Sequence, residues 1–265
     1  MIDGENKKKT AGETLTVIIY ACLAFSLPYE LIARLFGGSN VAVYLSGAVL
    51  KALFCVYPIY KIRALGFREE FKIKRGFLKG LLLSLPALIV SLNNLPILPL
   101  ITDDLVLNIY KAEIFPYILF CLAIGFSEEL IFRGLLLPLF VGVFGRGKIG
   151  VLKAVTFSSA LFALMHLLNL FGGAPLAVLT QVGYSFLIGL AFSLSALFTK
   201  NIFVPILLHS LFDFGGFLYD AFGEGVLWTR GNIILTAVVG AVSAVILTVE
   251  FIKTDFGEDF PIKND

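Results

Sequence analysis

Glu and His are the side chains most often used as general base and general acid, and this chain buries several of them in apolar stretches. Its two histidines are His166, in Phe162-Ala-Leu-Met-His166, and His209, in His209-Ser-Leu-Phe-Asp213. A third polar group, Gly125-Phe126-Ser127-Glu128-Glu129-Leu130-Ile131-Phe132-Arg133-Gly134, lies inside the apolar run 114–141. Roughly 20 apolar residues cross a bilayer as a helix, so all these groups are expected at membrane depth. There an ionisable side chain costs at least ~2.5 kcal/mol to insert unless it is paired or faces a polar cavity. On a helix Glu129 and Arg133 are i,i+4 neighbours and can pair, as His209 and Asp213 share one face. Glu128 points about 100° away from Glu129 and has no local counter-ion. Such a carboxylate needs a function or a distant partner.

The set fits hydrolysis of an amide inside the membrane. A buried Glu is suited to take a proton from water, and a neighbouring His to share that water or protonate a leaving amine. A second His with an Asp or Asn would bind a developing oxyanion provided it donates hydrogen bonds. An ionised Asp213 cannot donate, so it is protonated, orients His209, or ligates a metal. Glu128, His166, His209 and Asp213 would also make a His₂-carboxylate zinc site. The sequence lacks His-Glu-x-x-His and Gly-x-Ser-x-Gly. The three cysteines, Cys22, Cys55 and Cys121, all sit in apolar runs and read as small buried hydrophobes.

The elements that must position these groups follow from composition. Of 265 residues, 58% are hydrophobic and 15% charged, against ~45–50% and ~25% in a soluble domain. The expected fold is therefore all-α, a single integral-membrane domain over 1–265, built as a polytopic bundle of about eight transmembrane helices with its motif core at about 114–222. The expected spans are residues 14–36, 41–60, 76–95, 114–141, 151–171, 174–198, 202–221 and 232–252. Pro86 should kink the third. Gly240, Ala241, Ser243 and Ala244 in the last are small enough for close helix packing. Lys51 falls near the middle of the second span: either it pairs with a carboxylate on another helix, or the boundaries are misplaced. Lys and Arg concentrate in Lys7–Lys9, the 61–75 loop, Arg146 with Lys148, Lys200 and the tail. By the positive-inside rule both termini are cytoplasmic and the protein is multi-pass in the cell membrane. A net charge of +2 without a basic stripe gives no sign of a nucleic-acid partner; the expected partners are the lipid bilayer and a peptide or membrane-protein substrate. At 1.5 Å per residue these boundaries separate the two histidines in depth by on the order of 15 Å. Starting the fifth span after Lys153 halves that, and the proposed site requires the correction.

Glu128-Glu129-x-x-x-Arg133, Phe162-x-x-x-His166 and His209-x-x-x-Asp213, in this order, resemble the three motifs of the CAAX protease and bacteriocin-processing family, related to the Ras-converting CAAX prenyl endopeptidases. The resemblance spans roughly 114–222. It implies an intramembrane endopeptidase of eight helices, reached from the cytoplasmic side. Glu128 and His166 would activate water without a metal cofactor, and His209 with Asp213 would stabilise the oxyanion. Glu129 and Arg133 would form a structural pair. Where the prenyl endopeptidases carry Asn in the last motif, this chain has Asp213. Two other functions stay open: a catalytically silent relative acting as a peptide-immunity or scaffold membrane protein, and a proton-coupled transporter with Glu128 as carrier. The transporter predicts broken helices or matching halves, which the sequence does not display.

Overall fold

The computed structural model describes residues 4–67, 72, 73 and 76–254, with side chains from Thr10 onward. Lys7–Lys9, much of the basic 61–75 loop and the charged tail, on which the orientation argument leans, lie outside these described side chains. Among the described residues the regular structure is helical apart from one short ribbon. Helix α1 (Gly4–Phe25) and α2 (Tyr29–Arg34) are separated at Leu27-Pro28; α3 (Asn40–Phe54) and α4 (Val56–Ala64) abut at Cys55. Then come α5 (Phe77–Leu83), α6 (Leu85–Asn93), α7 (Ile97–Ile101) and strand β1 (Leu105–Leu107). The long central rod follows as α8 (Lys111–Ile131), a π turn (Phe132–Leu136) and α9 (Leu137–Phe144). Helix α10 (Lys148–Met165), a 3₁₀ turn (His166–Phe171), α11 (Pro175–Thr199), α12 (Phe203–Gly216), α13 (Leu218–Phe222), strand β2 (Gly223–Gly225) and α14 (Arg230–Lys253) complete it.

Among the described residues six helical segments are long and apolar enough to cross a membrane: Thr10–Arg34, Asn40–Ala64, Lys111–Phe144, Lys148–Phe171, Pro175–Thr199 and Arg230–Lys253. Two of the eight expected spans do not take that form. The segment expected at 76–95 is divided at Ser84 into helices of 7 and 9 residues. Pro86 lies at the start of the second piece: proline cannot supply the backbone N–H that would continue the ladder and disfavours a helical residue before it. The segment expected at 202–221 yields a 14-residue helix, about 21 Å of rise against a hydrocarbon core of about 30 Å.

Prolines also explain the other breaks. Pro58 lacks the N–H that would bond the Phe54 carbonyl, and the Tyr20 hydroxyl donates to that carbonyl at 2.5 Å instead. Pro138 stands at the start of α9, directly after the π turn. A helix-interior proline would clash with the carbonyl four residues earlier, here Gly134, and a π turn relieves such a clash by widening the ladder. The Phe132 carbonyl within that turn accepts from the Ser158 hydroxyl at 3.0 Å.

The rod α8–α9 and helix α11 are the most enclosed spans, each with 61% of its apolar window buried, whereas α14 and the first span reach 17%. The main core accordingly surrounds the rod, with Leu130, Ile131, Phe132, Leu135 and Leu136 fully buried. Helices α3 and α12 pack on α8, and α10 packs on α11. Gly125 allows α8 and α12 to touch: a Cβ there would collide with the Ser210 hydroxyl and lie 2.9 Å from the Ser210 backbone nitrogen. On α14, by contrast, only part of the small-residue stretch is packed, Ala241 and Ala244 being exposed. Ser243 is buried, but a Cβ on Gly240 would meet nothing within 4 Å, because α14 is peripheral and turns that face outward. Outside the spans, β1 pairs antiparallel with β2 through Leu105–Gly225, Val106–Glu224 and Leu107–Gly223, tying the entry to α8 to the exit from α13.

Candidate active site

The face of α3 carrying Gly47, Ala48 and Lys51, and the face of α12 carrying Ile206, His209, Ser210 and Asp213, are both buried. With the last turns of α8 they enclose a cluster of charged side chains. Glu128, Glu129, Arg133, Lys51 and His209 are each at most 6% exposed, and Asp213 is 9% exposed.

Arg133 sits at the centre of the structural half. Its guanidinium donates to Glu129 Oε1 at 2.5 Å, to the Gly189 carbonyl at 2.9 Å and to Ser193 Oγ at 3.3 Å. It also lies over the rings of Phe162 and Phe192, 4.8 and 5.9 Å from their centroids. Placing Arg133 in the π turn directs it at α11. There Gly189 lets α10 approach so closely that a Cβ would lie 2.9 Å from Ser159 Cβ, and Ser159 Oγ is 3.5 Å from Ser193 Oγ. The expected i,i+4 pair of Glu129 and Arg133 is therefore present, and it is anchored on a third helix.

Glu129 passes this order on. His209 Nδ1 lies 2.7 Å from the same Glu129 Oε1. A carboxylate only accepts, so Nδ1 is the donor and Nε2 is left facing the other side. Nε2 is 3.8 Å from Glu128 Oε2 and 3.5 Å from Asp213 Oδ2. Among the described residues, Asp213 Oδ2 and Glu129 Oε2 are buried without a hydrogen-bond partner. The neighbour found for Asp213 is thus the ring of His209.

Glu128 finds the distant partner its position demanded. Lys51 Nζ lies 3.0 Å from Glu128 Oε1. Of the two readings of Lys51, the interhelical ion pair is the one realised. The ammonium also sits 5.1 Å from the centroid of the Phe25 ring.

His166 stands at the junction of α10 and the 3₁₀ turn, half-buried, with Nδ1 3.0 Å from the Phe162 carbonyl. Its ring packs edge-on against Phe25 and Phe162, centroids 5.5 and 5.0 Å away. Phe162 in turn packs edge-on against His209 at 5.6 Å. The two histidines thus flank one phenylalanine, which brings their rings closer together than the expected separation in depth. The remedy differs from the one anticipated, since α10 begins at Lys148. Among the described residues His166 makes no hydrogen bond to Glu128.

The residues do not fit the zinc alternative. Among the described residues no group of three or more His, Cys, Asp or Glu is arranged to hold a metal ion, and Glu128 faces an ammonium while Glu129 faces a guanidinium. Gly189 and Ser193 were not singled out by sequence reasoning. Their small-x-x-x-small spacing on a membrane helix was the available signal.

Comparison with curated proteins and with solved structures returned no match. Residues 110–215 match the family model described as type II CAAX prenyl endopeptidase Rce1-like. This segment runs from the residue before α8 nearly to the end of α12. It contains Glu128, Glu129, Arg133, His166, His209 and Asp213, and leaves out Lys51. Residues 110–215 of the chain thus match a family of proteases, and within them Glu128, Glu129 and His209 gather in one buried cluster.

Proposed function

We propose that the protein hydrolyses peptide bonds of membrane-associated or small peptide substrates, using water activated by Glu128 and His166. The observation that carries this reading is the convergence of Glu128, Glu129 and His209 on one buried cluster inside the matched segment. Attack on an amide needs a base for the water, a donor or cation for the carbonyl oxygen and a proton for the leaving amine. Glu128 is the base. His166, whose Nδ1 is taken by the Phe162 carbonyl, has Nε2 for the shared water or the leaving amine. His209, fixed by Glu129, presents Nε2 towards Glu128, and Asp213 orients it. The ordering of Glu129 by Arg133 supports its role as a structural pair.

In this reading the whole chain works as one membrane domain, with the motif core at about 114–222. The broken helix α5–α6 and the short helix α12 complete eight crossings, both termini are cytoplasmic, and the site is reached from that side. Reporter fusions test the topology: the 61–75 loop should report as cytoplasmic, and an external signal would overturn the orientation. The function is tested by incubating the purified, reconstituted protein with a peptide library, in parallel with Glu128→Gln. The wild type should cleave, and the variant, near-isosteric although it leaves the Lys51 ammonium without its carboxylate, should lose on the order of 10²–10⁴ in rate when equal amounts of folded protein are compared. A folded Glu128→Gln protein with full activity would remove Glu128 from the mechanism, and an inert wild type would favour the silent immunity or scaffold reading.

A further inference from the structure

Lys51 comes from α3, outside the segment matched to the protease family, yet its ammonium is the nearest cation to Glu128 among the described residues. We propose that Lys51 is a further catalytic residue, whose ammonium stabilises the oxyanion formed when the scissile carbonyl is attacked. The inference rests on the hydrolase reading above.

The argument follows the charge. Glu129 is compensated by Arg133 at 2.5 Å and Glu128 by Lys51 at 3.0 Å. Arg133 is spoken for by Glu129, Gly189, Ser193 and two aromatic faces. His209 has its Nδ1 engaged by Glu129, which leaves Nε2 alone. Asp213 lies with Oδ2 3.5 Å from His209 Nε2, the ring it orients in this reading. The site is therefore short of donors at the carbonyl oxygen. Lys51 has three donor hydrogens, one directed at Glu128 Oε1.

In the attack step, the water oxygen forms a bond to the carbonyl carbon while its proton passes to Glu128. The carbonyl π pair moves onto oxygen. Negative charge leaves the carboxylate and appears on the oxyanion, so Lys51 loses its ground-state partner as the new anion forms beside it. When the intermediate collapses, the pair returns to re-form C=O, the C–N bond breaks, and the proton held by Glu128 passes to the leaving amine. Net charge in the cluster is the same at every stage, so no unpaired charge arises in a low-dielectric setting. The cation's interaction moves to the group that develops in the transition state, which is the condition for acceleration rather than mere binding. The Phe25 ring, 5.1 Å from Nζ, offers the ammonium a cation–π contact that holds it in the site.

The test uses the full-length protein in lipid and a peptide that the wild type cleaves. Lys51→Met should lose at least about 100-fold in kcat, the scale seen on removing one oxyanion donor, with KM little changed, and Lys51→Arg should restore part of it. A second arm reads binding without turnover. A phosphonate analogue of the same peptide, anionic and tetrahedral, should bind about 100-fold more weakly to Lys51→Met/Glu128→Gln than to Glu128→Gln, whereas the uncleaved amide should bind both alike. This double variant leaves neither partner as a lone buried charge, so it decides the matter even where Lys51→Met fails to fold. A Lys51→Met enzyme that keeps kcat, or equal phosphonate affinity in the two binding variants, would overturn the inference and leave the hydrolase reading standing. A wild type that cleaves no peptide would sink both.

Discussion

Replacing Arg133 by Ala tests the structural half of the cluster, and its cost can be worked from the contacts. The guanidinium is 1% exposed and is held by Glu129, the Gly189 carbonyl, Ser193 and two aromatic rings. Removing it strands Glu129 beside His209 and leaves the Gly189 carbonyl and Ser193 hydroxyl without this donor. Breaking one side of a buried ion pair typically costs about 3–5 kcal/mol. A lost hydrogen bond to a charged group costs about 1.5–3 kcal/mol, but these contacts share one side chain and do not add. A loss of at least 3 kcal/mol, roughly, is expected, a large part of the 5–15 kcal/mol typical of a domain. Thermal denaturation in a fixed detergent, with the yield of folded protein, is the assay. Arg133→Met/Glu129→Gln is the second measurement: with neither charge left alone it should be more stable than Arg133→Ala, giving a favourable coupling in a double-mutant cycle. If Arg133→Ala melted at the wild-type temperature with wild-type yield, or the double variant were no better than the single, the claim that this ion pair organises the three helices would be wrong.

Other outcomes follow from single contacts. Gly125→Ala places a methyl against the Ser210 hydroxyl and backbone, so α8 and α12 must separate. The expected cost is about 1–3 kcal/mol, with a fall in peptidase rate because His209 precedes Ser210; a variant that keeps both melting temperature and rate would refute the close contact. Tyr20→Phe removes the donor to the Phe54 carbonyl that Pro58 leaves free, and should lower stability by about 1–3 kcal/mol. Pairing it with Pro58→Ala, which returns a backbone donor to that carbonyl, should recover part of the loss; no recovery would show that the hydroxyl was not serving this carbonyl.

The sequence by itself determined that the chain is a membrane helix bundle, because 58% apolar residues in runs of about 20 have no other economical arrangement in water or lipid. It also singled out Glu128, Glu129, Arg133, His166, His209 and Asp213, since an ionisable group at membrane depth is conspicuous without any knowledge of neighbours. The pairing of Glu129 with Arg133 was legible too, being fixed by helix periodicity alone. Periodicity is silent about anything between helices. It marked Lys51 as odd but could not say that α3 packs on α8 and delivers its ammonium to Glu128. It gave no reason to choose Gly189 and Ser193 from a uniformly apolar span, and the crossing that places Phe162 between the two histidines depends on helix tilt and packing. Six of the eight stretches it marked form helices long and apolar enough to cross a membrane; in the other two, hydropathy registers composition and is silent about the break at Ser84-Leu85-Pro86 and the helix end at Gly216. Local spacing is written in the chain, but the partner of a charge across a helix interface is set by which faces pack, and only the tertiary structure decides that.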